Sequence, residues 1–119
     1  MAGLAWQNEG PFTLTAGEDL AADRLVLMSS STAIYADAAE RPLGVTQRAV
    51  SSGGVVSIRP LTGGVIKVTG SKSISAGSAI YTTTDGKVSD AAGGGSQIGV
   101  LLEAITGSGG KGAAVVWQA

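Results

Sequence analysis

The side chains that could carry chemistry in this 119-residue chain are carboxylates, hydroxyls and a few amines, because it contains no histidine and no cysteine. Those two absences remove the commonest general base and metal ligand, and with them the most reactive nucleophile. Two carboxylate groupings remain, Glu18-Asp19 and Asp37…Glu40. Their chemistry would be acid–base transfer or coordination of a hard cation. Both lie in polar connections beside Ala and Gly, and neither has the spacing of a calcium-binding loop, so they read as solvated loop charges. The hydroxyl runs Ser29-Ser30-Ser31-Thr32 and Thr82-Thr83-Thr84 would need a neighbouring base to become nucleophiles, and turns or strand edges account for them. The glycine clusters at Ser52-Gly53-Gly54, Thr62-Gly63-Gly64, Gly93-Gly94-Gly95 and Gly107-Ser108-Gly109-Gly110 open onto no helix with a lysine in register, as a phosphate cradle requires. Lys87 sits in ordinary turn chemistry, Asp85-Gly86-Lys87, without the hairpin signature of a lipoyl-type carrier. A non-enzyme with no cofactor and no metal is the expectation.

Charge and hydropathy narrow the partners. Eight Lys plus Arg against nine Asp plus Glu are scattered from Arg24 to Lys111, which argues against nucleic acid, since phosphate binding needs a concentrated basic face. No apolar run reaches the length of a membrane span, and Met1 to Gly10 lack a basic start and an apolar stretch, so neither a membrane nor export is expected. The absence of cysteine rules out disulfides and agrees with folding in a reducing cytoplasm.

The elements that would position these residues are strands. No helical period is sustained, whereas short β-branched runs separated by Gly, Ser, Asp and Pro recur about every ten residues. Strands are expected near Phe12 to Thr15, Arg24 to Ser29, Ala33 to Ala36, Leu43 to Val50, Val55 to Pro60 and Val65 to Thr69. Four more are expected near Ser78 to Thr83, Lys87 to Ser89, Ile98 to Ile105 and Ala113 to Gln118. Asp85-Gly86 tolerates the positive φ of a two-residue hairpin turn. Sliding the chain on itself by roughly 55 residues reveals an internal repeat. Leu20, Ala22 and Val26 fall on Ile74, Ala76 and Ile80, and Ile34 falls on Val88. Pro42-Leu43-Gly44-Val45 falls on Gln97-Ile98-Gly99-Val100, Ala49-Val50-Ser51 on Ala104-Ile105-Thr106, and Val55-Val56 on Val115-Val116. Arg48 and Glu103 are then equivalent outward charges, with Glu103 inside the strand Ile98 to Ile105. Gly44 and Gly99 mark bends or close approaches inside apolar strands.

Neither half closes a core alone, so the expected fold is all-β, a small barrel or two-sheet sandwich built from two pseudo-repeated halves with an extended N-terminal arm. The expected organisation is an arm over 1–11 and a single β domain over 12–119, with pseudo-repeats at about 20–60 and 74–118. Two Trp, two Tyr and one Phe supply few large anchors, so oligomerisation is expected to supplement a core of small side chains. Both tryptophans lie near the chain ends, outside most of the repeat. Leu4, Trp6, Phe12 and Trp117 are therefore the candidate subunit- or partner-contact residues, with the arm able to add a strand to a neighbour.

The order Gly10-Pro11-Phe12-Thr13-Leu14-Thr15-Ala16-Gly17, Leu43-Gly44-Val45, Ser75-Ala76-Gly77-Ser78-Ala79-Ile80-Tyr81, Asp85-Gly86-Lys87-Val88, Ile98-Gly99-Val100 and a Val-rich final strand resembles the phage capsid cement or head decoration proteins. The likeness runs over nearly the whole chain. It implies a small β-rich virion subunit, folded in the host cytoplasm, that binds the outer surface of the major capsid protein lattice at three-fold positions. It also implies a homo-oligomer, with a trimer favoured, that braces the shell against internal DNA pressure. The alternative is a carbohydrate- or receptor-binding β module of a phage tail or fibre, which would stack sugars on exposed aromatics. Between the ends only Tyr35 and Tyr81 are placed to do so.

Overall fold

Residues 12–38, 40–61, 64–93 and 97–116 are described by the structure, a computed structural model. Ten strands occur among them: β1 Phe12–Ala16, β2 Leu25–Ser29, β3 Thr32–Tyr35, β4 Gly44–Thr46, β5 Val55–Pro60, β6 Val65–Thr69, β7 Ala79–Thr82, β8 Val88–Ser89, β9 Gln97–Leu101 and β10 Lys111–Val116. The first five close into a barrel in the order β1-β3-β2-β4-β5, and the last five form a sheet in the order β6-β10-β9-β7-β8. The all-β expectation holds. The choice between barrel and sandwich resolves as a closed barrel beside an open copy of the same plan.

The copying is visible in the hydrogen-bond register. Phe12↔Ile58 in the barrel recurs as Ile66↔Ala114 in the sheet, Val45↔Arg59 as Val100↔Val115, and Leu25↔Val45 as Ala79↔Val100. The isolated bridge Leu20↔Val50 recurs as Ile74↔Ile105. Closure is where the halves part. The barrel is sealed by a parallel β1–β3 ladder, Thr15↔Thr32 and Ala16↔Ala33, which the second half reduces to the single bridge Gly70↔Val88.

Three details depart from the sequence reading. The register sets Val55 and Val56 on Lys111 and Gly112, not on Val115 and Val116, and it sets Ala33, not Ile34, on Val88. The strands expected to run to Val50 and Ile105 stop at Thr46 and Leu101. After each, two exposed residues, Gln47-Arg48 or Leu102-Glu103, bend the chain outward before Val50 or Ile105 returns to its bridge. Glu103 therefore lies in a bend, where its carboxylate accepts the Ala113 N–H at 2.9 Å.

Side-chain size explains why one half closes and the other does not. Inward-facing Phe12, Leu14, Val56 and Ile58 belong to a barrel core with Ala16, Leu20, Val26 and Ala33. At the corresponding places the second half carries Ile66, Val68, Gly112 and Ala114, which enclose less volume. Its core is completed from outside by Leu25, Ala36, Val45 and Leu61, which cluster with Ile66, Ile80, Ile98 and Leu101. Leu25 and Val45 alternate with the barrel's inward residues, so the outer face of β2 and β4 is the surface that receives the second half.

The seam is polar at its rim. The Thr84–Gly86 turn docks on the barrel, with Gly86 N–H donating to Ala36 O at 2.8 Å and Asp85 N–H donating to an Asp37 carboxylate oxygen at 3.1 Å. Arg24 donates to Asp85 O at 3.0 Å and stacks over the Tyr35 ring. Lys111 Nζ pairs with the Asp23 carboxylate at 2.9 Å, and the Thr69 hydroxyl donates to Asp23 O. Asp85 and Gly86 both have positive φ, as the hairpin reading of that pair requires.

Candidate functional site

The groups that could do chemistry are engaged in holding loops. Glu18 accepts the Tyr35 N–H at 2.9 Å and Asp19 accepts the Ser52 N–H at 2.8 Å, so the two adjacent carboxylates face different segments. Glu40 accepts the Asp37 N–H at 2.7 Å, while Asp37 itself caps the Asp85 turn. A carboxylate occupied by backbone amides works as a staple between loops. The Thr32 hydroxyl donates to Ser29 O, closing the first hairpin locally. Among the described residues no three His, Cys, Asp or Glu side chains cluster as a metal site would require.

Concavities are found among the described residues. A shallow depression at one end of the barrel, about 420 Å³, is lined by Asp19, Leu20, Ala21, Tyr35, Ala49, Val50 and Ser51. A cleft of about 260 Å³ between the halves is lined by Asp23, Val45, Thr46, Gln47, Arg59, Val65, Ile66 and Lys67. The carboxylate in each is already engaged, Asp19 by the Ser52 N–H and Asp23 by Lys111. Tyr35 is a poor sugar platform, because its hydroxyl accepts the Ala21 N–H and Arg24 lies 5.4 Å from the ring centroid.

Of the candidate contact residues, Leu4, Trp6 and Trp117 lie outside the described residues, as does the 1–11 arm. Phe12 is half-buried at the start of β1, paired with Ile58 and packed against the barrel core.

Sequence reasoning missed the apolar surface. Met28 (56 %), Val55 (63 %), Val65 (53 %) and Leu102 (48 %) are the large hydrophobic side chains left exposed among the described residues. Val65 begins a row. It pairs with Val115, which pairs with Val100, which pairs with Ala79, so four cross-strand neighbours share the outer face of the second sheet. Val115, Val100 and Ala79 are each half-buried, and Leu102 follows at the end of β9. Alternation along β9 and β10 contained this signal, but only the register shows which outward residues become neighbours.

The comparisons with known proteins agree with a virion role. No curated protein sequence matches the chain. Among solved structures, the N base of head fiber gp8.5 in bacteriophage phi29 superposes with a TM-score of 0.77 at 20 % identity, covering 89 % of this chain and 92 % of that one. At that identity the likeness establishes a shared fold. A family model described as phage cement protein matches residues 6–117. With that match spanning both repeated halves, the chain belongs to the phage cement protein family.

Proposed function

We propose that this protein binds the outer surface of the assembled phage head through the major capsid protein lattice and stabilises the shell by contact alone, as a homo-oligomer in which a trimer is the favoured stoichiometry. The observation that carries the reading is the family match over residues 6–117. The spent state of the polar groups supports it, since the carboxylates that could have been catalytic serve as loop staples. The adhesive surface would be apolar and shallow. A subunit that binds only the mature lattice stabilises it by mass action, and multivalent attachment adds avidity without new contacts. The carbohydrate-module alternative is not favoured, because the Tyr35 ring and hydroxyl are both occupied.

Co-sedimentation with heads lacking the protein tests this. Saturable binding to expanded heads, and none to unexpanded ones, is the expected result. Failure to bind either form would overturn the reading.

A further inference from the structure

One side of β6 carries no strand. β6 ends the strand order of its sheet, and its ladder is with β10. Gly64 O accepts from Val116 N–H and Gly70 N–H donates to Gly110 O, so the even-numbered residues of this stretch turn their amides and carbonyls toward β10. Val65 and Lys67 turn theirs the other way, where among the described residues no backbone group is bonded to them. An unpaired strand edge is a template for an extended segment of chain. The same stretch, Val65, Ile66 and Lys67, forms one wall of the cleft between the halves, and Val45, Thr46, Gln47 and Arg59 form the other.

The cleft is cationic at its rim. Arg59 and Lys67 are exposed, and among the described residues neither has a carboxylate within salt-bridge distance. Asp23, the acid in the lining, is already neutralised by Lys111. Carboxylates elsewhere are engaged as well, Glu18, Asp19, Asp37, Glu40 and Glu103 by backbone amides and Asp90 by Lys72. Asp85 belongs to the turn docked against β2 and β3. Of the nine acids in the chain, Glu9 is the one left to meet this charge.

Glu9 is also near enough. Phe12 pairs with Ile58, the residue before Arg59, and Glu9 precedes Phe12 by three residues, at most about 10 Å of extended backbone. The β1–β5 ladder stops at this point for lack of a donor. Even-numbered residues of β1 face β5, as Ala16 N–H donating to Gly54 O shows, and the next such position falls opposite Pro60, which has no N–H. We infer that residues 4–10 leave β5 at Pro11 and add to the open edge of β6 in the same chain, with the Glu9 carboxylate between Arg59 and Lys67. The added strand is antiparallel to β6. Its entry is at the Gly64 end, where the Arg59 guanidinium lies 3.4 Å from the place of a Gly64 Cβ, and it runs toward Thr69, whose hydroxyl reaches Asp23 O. The contact ties the two halves together across their cleft and keeps the arm on its own chain. It is independent of the capsid-binding role.

Carbodiimide coupling tests the contact on the full wild-type chain, because it condenses a carboxylate with a touching amine into an amide, with loss of water. Peptide mass mapping should find Glu9 joined to Lys67, and the absence of that link overturns the inference. Equal parts of isotope-labelled and unlabelled chains identify the owner of the segment. Linked peptides should carry one label state throughout, whereas mixed pairs would assign the segment to a second copy and overturn the inference. Hydrogen exchange gives a second reading. The Lys67 amide should be protected, and Glu9→Lys should speed its exchange about threefold, the size of an exposed ion pair. Arg59→Glu should do the same, and the double variant Glu9→Lys/Arg59→Glu should recover protection. A Lys67 amide that exchanges freely in the wild type, or at one rate in all four chains, would overturn the inference. Should a variant misfold, the coupling of the wild type decides alone.

Discussion

Gly44 and Gly99 show how a single residue can record the architecture. Each sits where β4 pairs with β5, or β9 with β10, so closely that a Cβ would lie 2.4 Å from Arg59 O or 2.2 Å from Val115 O. The obstructing atom is backbone in both cases and cannot rotate away. Gly44→Ala and Gly99→Ala should therefore each cost about 3 kcal/mol, at the upper end for overpacking, as read by urea unfolding. The glycines were legible in the sequence as equivalent positions inside apolar strands. That the cause is the close approach of a paired strand was not, because it depends on the partner strand's backbone. The carboxylates show the opposite case. Glu18-Asp19 looked like a pair, yet in the bend after β1 each carboxylate staples a different loop.

At the scale of elements, the pattern of strands was legible because apolar alternation and Gly-rich punctuation set both their positions and their count. Strand ends were not. Val50 and Ile105 are apolar and looked continuous with β4 and β9, but each bridges to a residue far upstream, Leu20 or Ile74. Local sequence has no means of showing that long-range pairing. The Thr84–Gly86 turn was legible as a hairpin from Asp85-Gly86, and its second role, docking the sheet on the barrel, was hidden for the same reason. A comparison of two glycines isolates that role. Gly77 and Gly86 both have positive φ, but a Cβ at Gly77 meets nothing within 4 Å, whereas at Gly86 it meets Leu25 O. Gly77→Ala should cost about 1 kcal/mol for backbone strain alone. Gly86→Ala should cost about 3 kcal/mol, the excess coming from overpacking at the seam. Equal losses in thermal or chemical unfolding would mean that the turn's docking contributes little.

For the whole molecule, two halves that share one strand register differ in the size of their inward side chains. Larger side chains at Phe12, Leu14, Val56 and Ile58 let one copy close on itself, while smaller ones at Ile66, Val68, Gly112 and Ala114 leave the other to complete its core on the barrel's outer face. The repeat was legible in sequence because both halves keep the same apolar beats. The closure of one half alone was not, since it follows from summed volumes across strands. Membership of the phage cement family gives this scaffold a virion setting, and the proposed role asks of it only adhesion to a lattice. The most direct measurement is the temperature at which DNA-filled expanded heads lacking the protein release their DNA, followed as purified protein is added back. The proposed role predicts that this temperature rises with protein concentration and levels off as the sites fill. A release temperature that stays constant while the protein is bound would contradict it.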